Sequence, residues 1–86
     1  MQRALVVGKA VATTKDESMR GRKLLVVQPL LAGGRAPDGF PLVTVDGVGA
    51  GVGETVLITS DGRGARTMLQ SEKTPVRWTI IGIEDP

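Results

Sequence analysis

The sequence predicts an all-β fold, a small five-stranded OB-like β-barrel with one short helix between the last two strands. Three observations lead there. Five short runs rich in valine, leucine and isoleucine recur along the 86 residues, separated by glycine, proline and charged residues, which is how short barrel strands read. Gly8 falls inside the first run, where a strand accepts glycine chiefly at a bulge or a tight barrel corner. A single segment, 61–70, has a helix-favouring composition.

The elements follow in order. The first strand is expected over Ala4–Ala12. The second, Lys23–Gln28, is stopped by Pro29 and is almost wholly apolar, as in a strand buried on both faces. Pro41 introduces the third, Leu42–Asp46. The fourth, Thr55–Ser60, sets Val56 and Ile58 on one face and Leu57 on the other. Asp61 is placed to cap a short helix favoured by Ala65, Arg66, Met68 and Leu69, although Gly62 and Gly64 weaken its start. Pro75 introduces the fifth strand, Val76–Glu84. Of the connections, Thr13–Arg22 is polar and charged, and Leu31–Phe40 holds Gly33-Gly34, Pro37 and Asp38-Gly39, a dense set of turn formers. Gly47–Gly53 has glycine at every second position. With no repeat or low-complexity stretch, residues 1–86 are expected to form one domain.

A chain this short buries only about 60% of the surface its unfolded form exposes. Small folds compensate with disulfides, metals or oligomerisation. Cysteine and histidine are both absent, which removes disulfides and the usual zinc, haem and iron–sulfur ligands. Oligomerisation remains. Eleven Lys and Arg against nine Asp and Glu leave a net charge of +2, too slight for an electrostatic footprint on nucleic acid. The local basic cluster, Lys15, Arg20, Arg22 and Lys23, is interrupted by Asp16 and Glu17 and reads as a solvated loop. No apolar run approaches the roughly 18 residues of a bilayer span. The first residues break their apolar stretch too early for a signal peptide, so a cytoplasmic protein is expected.

The residues offer little chemistry. Serine and threonine are present without a histidine to activate them. Glu84 and Asp85 are adjacent, so a strand would send them to opposite faces. No catalytic residue, cofactor or metal site is therefore expected. The run Gly47-Val48-Gly49-Ala50-Gly51-Val52-Gly53 fails the dinucleotide fingerprint, because the third glycine position falls on Val52 or on Glu54. It also leads into a strand, whereas phosphate loops lead into a helix. A plain turn needs one or two glycines. Four alternating ones suggest backbone passing close to other backbone, such as a second copy of the same loop at a symmetry axis. An OB-like barrel raises one alternative function, a single-stranded nucleic-acid-binding module. Its stacking platform would have to come from two separated aromatics, Phe40 and Trp78.

Several segments together resemble one family. Met1 to Thr13, with Val6 and Gly8, resembles the first strand of EutN/CcmL proteins. Gly21-Arg22-Lys23-Leu24-Leu25-Val26-Val27-Gln28-Pro29 resembles their second. Val45-Asp46-Gly47-Val48-Gly49-Ala50-Gly51-Val52-Gly53-Glu54 is similar to the family's most recognisable stretch. Gly64-Ala65-Arg66 resembles the start of its short helix, and Val76 to Asp85 its closing strand. The likeness spans nearly the whole chain in order. It is weakest over Leu31–Pro41, and Gly62-Arg63-Gly64 replaces residues that are often serine.

The resemblance implies a structural, non-enzymatic shell protein that forms pentameric vertices of a bacterial microcompartment within the cytoplasm. Carried over residue by residue, Gly49, Ala50 and Gly51 would lie at the five-fold axis. Asp46, Gly47, Gly53 and Glu54 would flank them. The partners implied are copies of the chain itself and the hexameric and pseudohexameric shell proteins around it, with no nucleic acid and no membrane. Arg20 and Arg22 are a candidate edge for contact with those tiles.

Overall fold

The computed structural model describes residues 1–10, 23–60 and 77–85. Five strands are present: β1 (Gln2–Ala10), β2 (Leu24–Pro29), β3 (Leu42–Asp46), β4 (Thr55–Thr59) and β5 (Trp78–Ile83). They close into a barrel in the order β1-β2-β3-β5-β4, with β4 returning to β1. All neighbours are antiparallel except β3 and β5, which run parallel. This is the closed five-stranded barrel expected from the sequence. The expected helix over 61–70 lies outside the described residues.

Period-two burial drives the closure. In β4, Val56 and Ile58 are fully buried while Thr55, Leu57 and Thr59 are half-buried on the outer side. The core gathers Ala4, Val6, Leu25, Val27, Ala50, Val56, Ile58 and Ile80, with Leu42 and Trp78 packed against it. Each fully buried Val, Leu or Ile stabilises the fold by about 1.5–3 kcal/mol.

Several boundaries differ from the sequence reading. β1 starts at Gln2 rather than Ala4, because Gln2 and Arg3 pair with Ile58 and Leu57 of β4; Val11 and Ala12 lie outside the described residues. β2 includes Pro29, which pairs with Ala4 and whose carbonyl accepts from Asp38 N at 2.8 Å. A proline lacks only the donor, so it fits a strand end where an acceptor suffices. β2 is also not buried on both faces: Val26 and Gln28 are only half-buried on the outer side. β4 stops one residue before Ser60, and Glu84 lies just past β5.

Three side-chain bonds fasten the start of β1 to neighbouring segments. Arg3 Nε donates to Glu84 Oε2 at 2.8 Å, and Arg3 Nη1 donates to Gly34 O at 2.8 Å. Gln2 Nε2 reaches Asp38 Oδ2 at 3.0 Å. The bonds to Gly34 and Asp38 anchor the 31–40 connection, which folds on itself through a bridge between Leu30 and Pro37. Gly33 and Gly39 supply its positive φ angles.

Candidate functional site

The strand pairing between β2 and β3 sets the geometry of the glycine loop. Leu24 pairs with Val45, which brings Lys23 opposite Asp46. Asp46 N donates to Lys23 O at 3.0 Å. Their side chains join as well, with Lys23 Nζ 2.8 Å from Asp46 Oδ2. The Asp46 side chain is fully buried, and Lys23 is about half exposed.

The same carboxylate folds the loop that follows it. Oδ1 accepts from Val48 N and Oδ2 from Ala50 N, both at 2.9 Å. Lys23 Nζ donates further to Ala50 O at 2.6 Å. A buried charge is tolerable when it is paired and hydrogen-bonded in this way. Burial is the strongest single influence on the Asp46 carboxyl and pushes its pKa up. The hydrogen bond from Lys23, those from Val48 and Ala50, and the Lys23 charge together outweigh it, so the group is held below its ordinary value.

Glu54 secures the other end. Its Oε1 accepts from Gly51 N at 2.6 Å, and its own N–H donates to Gly51 O at 3.1 Å, closing a turn over 51–54. Val6 N donates to Glu54 O and Gly53 N to Val6 O, each at 2.9 Å, so the loop ends stitched onto β1. Gly49 (φ 89°) and Gly53 (φ 93°) take the left-handed conformations that the two bends need.

The three residues singled out for an axis have different surroundings within one subunit. Gly49 is exposed. Ala50 is turned inward, 1% exposed and part of the core. Gly51 is half-buried, has no positive φ, and an added Cβ would meet only Glu54 Oε1 at 3.4 Å. Of the flanking residues, Gly47, Gly53 and Glu54 are exposed and Asp46 is buried. Two valines on the loop, Val48 and Val52, are exposed. Arg20 and Arg22 lie outside the described residues.

This arrangement decides what the loop can do. A phosphate cradle needs free backbone N–H groups, but those of Val48, Ala50 and Gly51 are taken by the chain's own carboxylates. Phe40 is 87% exposed on a connection, while Trp78 packs against the core. The two do not make a stacking platform. Sequence reasoning missed Lys23 as part of the site and placed it in a basic cluster. The usable signal was its place one residue before a strand that pairs antiparallel with the strand ending at Asp46.

Comparison with known proteins agrees over the full chain. The family model described as "Ethanolamine utilisation protein EutN/carboxysome" matches residues 1–85. The vertex protein EutN of Salmonella typhimurium is 42% identical over 85 residues, covering 99% of this chain and 84% of its own. Among solved structures, the GrpN pentameric microcompartment shell protein from Rhodospirillum rubrum is 40% identical with a TM-score of 0.78, covering 100% of this chain and 94% of that one. CcmL from Gloeobacter violaceus is 41% identical with a TM-score of 0.81, covering 99% and 86%.

Proposed function

The chain belongs to the EutN/CcmL family, and from that premise we propose that it does its work by geometry alone, as a ring of identical subunits at a shell corner. It is a bacterial microcompartment shell vertex protein. The observation that carries this is likeness to shell vertex proteins over the whole barrel, the glycine loop included.

The role is structural rather than catalytic. Five barrels related by a five-fold axis make a ring that repeats one head-to-tail contact. Inserted into a sheet of six-fold tiles, such a ring forces curvature and closes the shell, so hexameric shell proteins are its neighbours. Gly49 to Gly51 lies near the axis. Gly51 supports that placement, because neither its φ nor its surroundings within the subunit call for glycine. A neighbouring copy of the loop supplies the missing reason.

Native mass spectrometry at micromolar concentration tests the ring. The expected species has five times the 9.0 kDa mass of the chain. A monomer throughout that range overturns the proposal.

A further inference from the structure

Two strands carry the same local device. In β1, Val6 points into the core, the pairing with β2 skips Val7, and it resumes at Gly8. In β5, Ile80 points into the core, the pairing with β4 skips Ile81, and it resumes at Gly82. A residue left out of register at a bulge is free of the ladder and bends the strand around itself. Both skipped residues are large, apolar and exposed, Val7 at 47% and Ile81 at 45%.

Each bulge sits in a wider apolar face. Val26 pairs with Gly8 on one side and Val43 on the other, so Val7, Val26 and Val43 cross three strands on the outside of the barrel. Beside Ile81 lie Leu57, which covers Gly82, and Ile83. Among the described residues, Val7, Val43, Ile81 and Ile83 are the large apolar side chains that are borne on strands yet exposed. They fall into two separate groups, β1–β2–β3 and β4–β5. The glycine after each bulge adds no side chain to hold a neighbour away, and nothing lies within 4 Å of a Cβ built on Gly8.

A two-fold dimer needs one self-complementary patch, whereas a closed ring needs two different patches on every subunit. We infer that the valine face of β1–β2–β3 in one subunit receives the isoleucine face of β4–β5 in the next, with Val7 and Ile81 at the centre of each junction. The occupant of both faces is thus a second copy of this chain. The inference rests on the ring proposed above and assigns the contact within it.

Complementary charge tests the pairing. Val7→Lys, Ile81→Glu and the double variant are compared with the parent by native mass spectrometry and circular dichroism. Each single variant is expected to lose the ring at least ten-fold while keeping its β spectrum, because both side chains are exposed. The double variant is expected to regain most of it, since long side chains of opposite charge then meet across the junction. Milder changes, Val7→Thr and Ile81→Thr, are expected to raise the concentration at which the ring dissociates several-fold without touching the fold. If the parent forms rings and all single variants keep them, the faces serve another contact and the inference fails while the ring stands. A double variant no better than either single also overturns it. A monomeric parent overturns the ring reading and this inference together.

Discussion

At Asp46 one buried carboxylate takes three hydrogen bonds, two from the loop it precedes and one from Lys23, its neighbour in the β2–β3 pairing. An asparagine there keeps the shape but turns an NH₂ group toward at least one donor. Asp46→Asn is therefore expected to destabilise the subunit by about 1–3 kcal/mol, the cost of a buried donor left unmet. Urea unfolding followed through the lone tryptophan, Trp78, measures this. The same residue gives the acid limb of stability. Because its pKa is depressed on folding, its contribution is complete above the ordinary aspartate value of about 3.9. It fades as pH falls through the lower folded value. Stability of the parent should drop below about pH 4, and Asp46→Asn should show a flatter acid limb. An equal slope in both proteins refutes the assignment. Glu84 is also held below its usual value, by its hydrogen bond to Arg3, and adds to the slope in both proteins alike.

At the scale of the loop, glycine has two different meanings, and substitution separates them. Gly49 occupies a positive φ with open space around it. Gly49→Ala strains the backbone by about 1–2 kcal/mol, so it should lower the urea midpoint of the subunit whether or not a ring forms. Gly51 has no such φ, and its Cβ would make a single mild contact. Gly51→Val should leave unfolding of the dissociated subunit, measured at dilution, nearly unchanged and reduce the ring fraction at higher concentration, read by native mass spectrometry. A Gly51→Val protein with an intact ring of parental heat stability removes Gly51 from the axis. Ala50 is unsuitable for such a comparison. It fills the core, so a larger residue there overpacks the barrel at about 1–3 kcal/mol.

At the scale of the whole molecule, a closed barrel leaves no strand edge free but still leaves apolar faces outside. A chain of 86 residues without cysteine or histidine has no disulfide and no thiolate or imidazole ligand to staple it. Assembly into the proposed ring is expected to add stability, because anything that binds the folded subunit draws the folding equilibrium with it. The melting temperature should therefore rise with protein concentration across the range where the ring forms. Differential scanning calorimetry over a hundred-fold dilution series checks this. A melting temperature independent of concentration, with rings present throughout, would show that the ring adds nothing to stability.

Much of this molecule was legible in its sequence because the relevant physics is local. Alternation within Thr55–Thr59 sets Val56 and Ile58 on one face and Leu57 on the other, and Leu42–Asp46 was bounded by Pro41 and the first loop glycine. The alternating glycines marked a loop of unusual backbone demands. Tertiary structure decided what depends on register between distant segments. Lys23 meets Asp46 only because β2 and β3 pair with Leu24 against Val45. Ala50 became core rather than loop surface once two carboxylates had bent the backbone around it. Val7 and Ile81 are left out of the ladder because the pairing skips each of them. A strand's own pattern fixes which residues share a face, but a one-residue slip against its neighbour reverses that assignment. That slip is a property of two strands, and no single run of residues contains it.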